Sequence, residues 1–281
     1  MIIVKEAGTL AGYIEKEKAK GNTIGFVPTM GALHQGHLAL IGQSRQQNGF
    51  TVCSIFVNPT QFNNAGDYRK YPQVIEKDIG QLLATGTDML FLPSVEEVYT
   101  SGTNKLEQYD LGYLETVLEG QYRPGHFQGV CQVMQRLLTM VRPDQLLMGL
   151  KDYQQCMVVK RLLELMKSPI QFIACPTIRE ADGLAMSSRN MRLGPEDRKK
   201  AAAIYQCLHF IKKEIRPGPL SALKEKAAQQ LTEKGFTVDY VEIAQAQTLE
   251  LRDKWDGKVP LVALIAAFLN EVRLIDNMTL G

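Results

Sequence analysis

The stretch "TIGFVPTMGALHQGH" (residues 23–37) decides the fold, because it joins an apolar strand to a helix through a short turn that contains glycine. Residues 23–28 are rich in branched and aromatic side chains, and the spacing of "HLALIGQSRQQ" predicts a helix that begins near His37. Two of the chain's four histidines, His34 and His37, lie in this turn. A strand that leads directly into a helix is typical of parallel α/β sheets.

The alternation of strands and helices continues to about Cys175. Segments with apolar side chains at i, i+3 and i+4, such as "VCQVMQRLLTMV" (130–141), separate further strand-like runs. Parallel strands need such crossovers, and nearly continuous apolar strands agree with burial between two helical layers. We therefore predict an α/β fold with a Rossmann-like parallel sheet for residues 1–176. The further runs are "FTVCSIFV" (50–57), "DMLFLP" (88–93), "QLLMG" (145–149) and "IQFIAC" (170–175).

The pattern changes after residue 176. Two helical stretches, residues 195–215 and 220–235, precede three consecutive strand-like runs. This order predicts a smaller α+β domain with an antiparallel sheet over residues 177–281, which is also a candidate lid. The three runs are "FTVDYVEIA" (236–244), "LVALIAAFL" (261–269) and "VRLIDNMTL" (272–280).

Composition limits the class of protein. With 281 residues, of which 45% are hydrophobic and 22% charged, the chain can bury a large core. The 32 basic and 30 acidic side chains give a net charge of +2, which offers no argument for nucleic acid or a membrane as partner. Five scattered cysteines without a C-x-x-C pair, and an N-terminus without the apolar centre of a signal peptide, predict a cytoplasmic protein.

The histidine turn is the first candidate site. In an open parallel sheet, ligands bind where strand ends meet helix N-termini, and the free N–H groups there attract anions. Imidazoles would add directed donors, so we expect His34 and His37 to bind the phosphates of a nucleoside triphosphate. From these residues alone, a structural hydrogen-bonding pair and a metal-binding pair stay open. The sequence contains neither a P-loop nor a G-x-G-x-x-G pattern, so an ATP site would be of another type.

Four further segments place polar side chains next to predicted strands or helix starts. Amides can hydrogen-bond a hydroxy acid, while lysine, serine and arginine can neutralise or hydrogen-bond a triphosphate. Each segment alone is equally consistent with an ordinary turn, helix cap or polar loop. The segments are "IFVNPTQF" (55–62), "EGQYRPGHFQGV" (119–130), "GLKDYQQ" (149–155) and "TIREADGLAMSSRN" (177–190).

Taken together and in order, "PTMGALHQGH", "NPTQF", "RPGHFQGV", "KDYQQ" and "DGLAMSSRN" closely resemble the sequence blocks of the pantothenate synthetase (pantoate–β-alanine ligase) family. That family belongs to the H-I-G-H nucleotidyltransferases, and the resemblance covers nearly the whole chain. It implies an ATP-dependent condensation of (R)-pantoate with β-alanine, through pantoyl adenylate, to give pantothenate, AMP and pyrophosphate. It also implies Mg²⁺ with ATP, and a homodimer.

The resemblance assigns roles residue by residue. His34 and His37 would hold ATP phosphates, with His37 donating a proton or a hydrogen bond. Lys151 and Arg189 would stabilise the departing pyrophosphate, and Gln61 would meet both pantoate and β-alanine. The candidate ATP-binding residues are Met30, Gly31, His34, His37, Gly149, Leu150, Lys151, Asp152, Ile178, Met186, Ser187, Ser188 and Arg189. The candidate pantoate-binding residues are Asn58, Gln61, Arg123 and Gln155, and the candidate magnesium ligand is Asp78.

Several positions differ from the family's pattern. Leu150 replaces a glutamate, Lys77 beside Asp78 replaces an acidic residue, Gln73 stands where arginine is common, and Gly66 stands where glutamate is common. Two alternatives therefore accompany the ligase hypothesis. One is a nucleotidyltransferase that acts on another acid or phosphate, and the other is a catalytically silent nucleotide-binding or regulatory protein. Because the main nucleotide and pantoate positions are intact, we expect an active enzyme.

Overall fold

The apolar runs in the first part of the sequence form the strands of one parallel sheet in this computed structural model. The chain divides into two units. The structure describes residues 1–63, 65–103 and 106–280. Unit 1 contains Met1–Leu150 and Gln154–Pro176, and unit 2 contains Lys151–Tyr153 and Thr177–Gly281.

Strands and helices alternate along unit 1, as the sequence predicts. The strands are β1 (Ile2–Val4), β2 (Ile24–Thr29), β3 (Phe50–Ile55), β4 (Met89–Phe91), β5 (Gln145–Gly149) and β6 (Gln171–Cys175). The helices are α1 (Ala7–Ala19), α2 (Gln35–Gln47), α3 (Ala65–Arg69), α4 (Ile75–Ala84), α5 (Val95–Val98), α6 (Glu119–Tyr122), α7 (His126–Val141) and α8 (Tyr153–Leu165). Short 3₁₀ turns lie at Pro59–Gln61, Gly112–Glu115 and Leu150–Asp152.

The sheet has the strand order β1-β4-β3-β2-β5-β6, and every neighbouring pair is parallel. From β2 the chain builds outward to β3 and β4 on one side, and later to β5 and β6 on the other. The strand order therefore reverses between β2 and β5, which makes this the topological switch point of the sheet. In open α/β sheets, ligands bind beside such a point. This confirms the predicted fold class, with β1 as a strand that the sequence did not predict.

The ladder between β2 and β5 is short. Only Gly25 and Phe26 of β2 are paired with β5, although β2 continues to Thr29. The Thr23 and Thr29 carbonyls accept hydrogen bonds from backbone N–H groups on the β3 side. Because the backbone groups of successive residues point to opposite sides of a strand, those of the residues in between, including Pro28, face β5. Because Pro28 has no N–H to donate, its position agrees with the end of pairing at this point. The two strand ends part on the side where the histidine turn follows.

Each central strand contributes side chains to two cores. Phe26 and Val27, and likewise Val52 and Cys53, lie in different hydrophobic clusters because successive side chains point to opposite faces. One cluster includes residues of α1, α7 and α8, and the other includes residues of α2 and α4. Such burial on both faces explains why the strand sequences lack polar alternation.

Unit 2 contains the antiparallel sheet that the sequence predicts. Its three strands have the order β11 (Val272–Leu280), β10 (Leu261–Leu269) and β8 (Thr237–Gln245). Two helices, α10 (Ala203–Glu214) and α11 (Ser221–Glu233), pack against them in one hydrophobic cluster. The predicted helix at residues 195–215 is divided, because Ala202 leaves the helix between α9 and α10. The elements are α9 (Pro195–Ala201), α10 (Ala203–Glu214), β7 (Gly218–Pro219), α11 (Ser221–Glu233), β8 (Thr237–Gln245), β9 (Lys254–Trp255), β10 (Leu261–Leu269) and β11 (Val272–Leu280).

The helices are too short or too polar for a membrane span. Across residues 1–63, 65–103 and 106–280, none of them has both the length and the apolar character that a bilayer crossing requires.

All five cysteine side chains are buried and none forms a disulfide, and burial changes the ionisation of at least four of them. It raises the pKa of the Cys53, Cys131 and Cys207 thiols to about 12, and that of Cys175 to about 11. A thiolate is the reactive form, and at pH 8 a thiol with a pKa near 12 is about one part in ten thousand ionised.

We therefore predict that the native protein reacts negligibly with a thiol-specific disulfide reagent at pH 8. In denaturant all five thiols should react within minutes. Counting released chromophore under both conditions checks this, and rapid native labelling of two or more thiols would contradict the described burial.

Candidate active site

The histidine turn closes as a reciprocal cap on α2. His34 is the N-cap residue, and its Nδ1 accepts a hydrogen bond from the Gly36 N–H at 3.1 Å. The His37 Nδ1 in turn accepts from the His34 N–H at 3.3 Å. The two rings lie 4.0 Å apart between centroids. Because a backbone N–H can only donate, both Nδ1 atoms are acceptors, and both imidazoles are neutral with the proton on Nε2.

This cap changes one expectation from the sequence. The helix begins at Gln35, two residues before His37, and two of its first N–H groups already have partners within the chain. The Gly36 N–H is bonded to the His34 ring, and the His37 N–H is bonded to the His34 carbonyl at 2.8 Å. The capping box therefore uses two of the N–H groups that were expected from the sequence to be available for an anion. The donor that each imidazole retains is its Nε2–H group.

Asp78, the predicted magnesium ligand, lies in α4 and is 1% exposed. Its two carboxylate oxygens accept hydrogen bonds from the Ala32 and Leu33 N–H groups, each at 2.8 Å. Within the described residues, no three His, Cys, Asp or Glu side chains gather as a metal site. The environment of Asp78 therefore gives no support to metal binding there, and that assignment stays a prediction.

Asn58 and Gln61 follow β3, as predicted, but their side chains differ in burial. Asn58 is 1% exposed, and its Nδ2 donates to the Gly129 carbonyl and to the Gln61 Oε1, both at 3.1 Å. The Asn58 Oδ1 accepts from the Tyr99 hydroxyl at 2.7 Å. A side chain so buried and bonded positions its neighbours, so the geometry gives no support to Asn58 as a pantoate ligand. Gln61 is half-buried, and its Nε2 contacts the Met30 sulfur at 3.2 Å.

The turn that carries Gln61 lies directly against α7. A Cβ atom at Gly129 would come within 2.4 Å of the Thr60 carbonyl oxygen and 2.7 Å of the Gln61 Cα. Glycine is therefore required at this position, since any side chain would displace the backbone of the Gln61 turn.

Arg123 and His126, which lie at the start of α7, form a second network. The Gln61 carbonyl accepts from the His126 Nδ1 at 2.8 Å, and Arg123 donates to the His126 Nε2 at 3.1 Å. This ring is thus neutral with its proton on Nδ1, the opposite tautomer to the α2 pair. Arg123 also lies 3.4 Å from the Glu119 carboxylate. The network connects Arg123, a predicted pantoate residue, to the Gln61 turn.

Two adjacent glutamines at the start of α8 have different environments. Gln154 is 3% exposed, donates to the Leu114 and Val117 carbonyls, and accepts from the Glu119 N–H. Gln155 is half-buried and makes no side-chain hydrogen bond to the described parts of the chain. Of the two, Gln155 has the side-chain amide that is not already bonded to the described residues, and its pantoate role stays a prediction.

The end of β5 supplies two more candidate residues. Gly149 is the last residue of β5, and its carbonyl accepts from the Cys156 thiol at 3.4 Å. Leu150 packs at the edge of the core that includes α7 and α8. The apolar side chain that replaces a glutamate is therefore used in packing. Gly149 and Thr29 are the last residues of the neighbouring strands β5 and β2, between which the strand order of the sheet reverses.

In unit 2, Lys151 is fixed by its backbone. The Asn277 side chain in β11 donates to the Lys151 carbonyl at 2.9 Å. The Lys151 ammonium lies 3.5 Å from the Asp152 carboxylate, and its side chain is 17% exposed. The candidate lysine thus sits beside β11, and the ion pair that it forms with its neighbour in the chain is a long one.

The segment from Ile178 to Met186 forms a small hairpin in unit 2, in which the Met186 N–H donates to the Ile178 carbonyl at 3.0 Å. Arg179 ties this hairpin to β11. Its guanidinium donates to both Asp276 oxygens, at 2.6 and 3.0 Å, and also to the Gly183 and Asn277 carbonyls. Burial raises the pKa of the Asp276 carboxyl, and Arg179 opposes that rise.

The serine pair follows the hairpin. The Ser187 hydroxyl caps a 3₁₀ turn at Ser188–Arg192, and it accepts from the Arg189 N–H at 3.3 Å. Ser188 is 6% exposed. The Asn190 side chain donates to the Ala185 carbonyl at 3.0 Å, so the turn is fixed to the hairpin that precedes it. The four candidates Ile178, Met186, Ser187 and Arg189 therefore belong to one fixed segment.

Sequence reasoning missed the residues that hold these segments in place. Arg179 and Asp276 lie 97 positions apart, and Asn277 lies 126 positions from Lys151. Neither pair has a local sequence signal. Only the folded antiparallel sheet of unit 2 brings β11 to both segments.

The chain is similar to known proteins over almost its full length. A family model described as pantoate-beta-alanine ligase matches residues 2–279. Pantothenate synthetase of Cytophaga hutchinsonii is 42% identical over 283 residues, covering 100% of this chain and 99% of that protein. Two crystal structures are similar over almost their full length.

The crystal structure of pantothenate synthetase from Thermus thermophilus has a TM-score of 0.86 at 39% identity, covering 99% of each chain. That of pantoate-beta-alanine ligase from Francisella tularensis, complexed with beta-gamma ATP and β-alanine, has a TM-score of 0.83 at 35% identity, covering 99% of this chain and 97% of that one.

For the hairpin of unit 2, we predict that Arg179→Met lowers the free energy of unfolding by about 3–5 kcal/mol, because it leaves the Asp276 carboxylate buried without its partner. The control is Arg198→Met, since Arg198 pairs with Asp182 at 2.5 Å on the surface, and should cost less than about 1 kcal/mol. Urea unfolding curves of both variants decide the matter. Equal losses would contradict a special role for the buried pair.

Proposed function

The chain belongs to the pantoate–β-alanine ligase family, which joins pantoate to β-alanine with ATP, and from this premise we propose that the reaction has two steps. First, a carboxylate oxygen of (R)-pantoate attacks the α-phosphorus of ATP. The bond from that phosphorus to the bridging oxygen breaks, and pyrophosphate leaves. Then the amine of β-alanine attacks the acyl carbon of pantoyl adenylate, loses a proton, and releases AMP. Adenylation makes the carboxyl group reactive, so the protein's tasks are alignment and charge stabilisation.

The observation that carries this proposal is the cap formed by His34 and His37. Two neutral imidazoles, each with its proton on Nε2, stand at the start of α2 and beside the reversal between β2 and β5. Such groups are hydrogen-bond donors of fixed direction, suited to phosphate oxygens. A neutral imidazole gives up its remaining proton reluctantly. We therefore assign His37 a hydrogen bond to the phosphates rather than proton transfer.

In this proposal, Lys151 and Arg189 supply the positive charge that stabilises the triphosphate. The hydroxyls of Ser187 and Ser188 donate hydrogen bonds to it. Cations stabilise the negative charge that grows on pyrophosphate as it leaves, and the fixed serine turn supports this role. The nucleotide would also contact the following residues: Met30, Gly31, Gly149, Leu150, Asp152, Ile178 and Met186.

Pantoate recognition is assigned to the amides of Gln61 and Gln155 and to Arg123. A carboxylate and two hydroxyls need both donors and acceptors, which an amide supplies together. Gln61 would also meet the amine of β-alanine. The exposure of Gln61 and Gln155, against the full burial of Asn58 and Gln154, supports this choice.

Further parts of the proposal rest on the family resemblance. Magnesium would accompany ATP and be held mainly by phosphate oxygens, since Mg²⁺ commonly has few protein ligands. The protein would be a cytoplasmic homodimer, residues 1–176 would bind ATP and pantoate, and residues 177–281 would serve as a lid. Five cysteines without a disulfide support a reducing compartment.

The test of this function is isotope exchange. With ATP, Mg²⁺ and labelled pyrophosphate, label should enter ATP only when pantoate is added. Adding β-alanine should then yield pantothenate and AMP. Exchange with a different acid would support the broader nucleotidyltransferase hypothesis, and ATP binding without any exchange would support the silent protein.

For the histidine cap, we predict that His37→Ala lowers the exchange rate by about a hundredfold or more, with a modest loss of ATP affinity, because one stabilising donor is removed. His209→Ala is the control, since His209 is an exposed histidine in α10 of unit 2. Initial exchange rates at saturating substrates measure the effect. A normal rate in His37→Ala would reject the assigned role.

For the amides, we predict that Gln61→Ala raises the KM for pantoate more than it lowers kcat. Gly129→Ala should act in the same direction, because its methyl group would displace the Gln61 turn. Gln46→Ala, at an exposed position of α2, should behave as the wild type. Pantoate saturation curves distinguish these outcomes, and an unchanged KM in Gln61→Ala would exclude direct contact.

A further inference from the structure

A buried carboxylate lies under the turn that leads to the histidines. Asp78 is 1% exposed, and its Oδ2 and Oδ1 accept from the Ala32 and Leu33 N–H groups, each at 2.8 Å. Hydrogen bonds to an ionised acceptor are stronger than those between neutral groups. Two such bonds to successive residues hold the backbone in both position and orientation.

The turn needs such support, since its backbone is unfavourable. Gly31 has φ = +78° and Ala32 has φ = +48°, so two successive residues are in the left-handed region. Glycine adopts this region readily, but alanine does not, because its Cβ approaches the following carbonyl. In this conformation the N–H groups of Ala32 and Leu33 converge on one anion, and Asp78 is that anion.

The position of His34 depends on this turn. It follows Leu33 directly, is the N-cap of α2, and its own N–H is bonded to the His37 ring. If Ala32 returned to an ordinary conformation, the chain would enter α2 in another direction, and the reciprocal cap would be lost. The carboxylate therefore acts on the two imidazoles through the backbone of the turn.

We propose that Asp78 is a positioning residue, which holds the 31–33 turn so that His34 and His37 present their Nε2–H groups to the phosphates of ATP. This inference rests on the proposed function for its kinetic consequence but not for its structural one. It also gives Asp78 a task other than metal binding, since both oxygens already accept backbone hydrogen bonds.

The main variant is Asp78→Asn, and the control is Glu76→Gln. The asparagine keeps one acceptor but places an NH₂ group against one of the two backbone N–H groups. Glu76 is exposed on the same helix, so its substitution removes the same charge without touching the turn. We expect Asp78→Asn to lose about a hundredfold in the pantoate-dependent exchange rate, with an unchanged KM for pantoate, and Glu76→Gln to match the wild type.

A readout without substrates separates this inference from the proposed function. In the unliganded protein, the ¹⁵N resonances of the His34 and His37 rings should move in Asp78→Asn, whereas those of His126 and His209 should stay. The four histidines thus provide their own controls. If the wild type showed no exchange, the proposed function would fail, while the ring resonances would still test Asp78.

A second variant covers the case in which Asp78→Asn folds poorly. Ala32→Gly lowers the cost of the left-handed turn, so the double variant should regain part of the lost exchange rate and the original ring resonances. Recovery of Asp78→Asn at raised Mg²⁺ would instead identify a metal ligand and overturn the proposal. So would normal exchange and unmoved His34 and His37 resonances in Asp78→Asn.

Discussion

The need to satisfy the backbone N–H groups between β2 and α2 shapes the whole candidate site. From Gly31 to Leu38, most of these groups are bonded within the protein: to the Thr29 hydroxyl, to Asp78, to an imidazole Nδ1, or to the His34 carbonyl. In a P-loop, such N–H groups would face the phosphates. Here those groups are bonded internally, so in the proposed function the side chains of His34 and His37 would take over that task.

Much of the fold follows from local sequence. The runs that became β5 and β10 have the predicted bounds, because strands buried on both faces read as continuous apolar segments between polar ends. The strand β1 was not predicted, since its three residues, Ile2–Val4, are too few to show a period and only Val4 is buried. The start of α2 was placed too late because a histidine N-cap is unusual among capping residues.

The chemistry of the site was less accessible from sequence. The site contains two pairs of side-chain amides, Asn58 with Gln61 and Gln154 with Gln155. In each pair the first amide is buried and hydrogen-bonded, while the second is more accessible. Nothing in "NPTQ" or "YQQC" distinguishes Asn58 from Gln61 or Gln154 from Gln155, because the difference lies in contacts with α7 and with the segment 114–119. Likewise, Asp78 lies 46 positions from Ala32, so only the packing of α4 against the sheet reveals its bonds.

Pro28 has a consequence for how a ligand enters the candidate site. Its ring nitrogen faces β5 and cannot donate, so the ends of β2 and β5 cannot join into a longer ladder. The pairing of the two strands is thus stopped at Pro28 by the covalent structure of that residue and not by side-chain packing alone. A ligand that binds beside these strand ends would have no β2–β5 hydrogen bond to displace at Pro28.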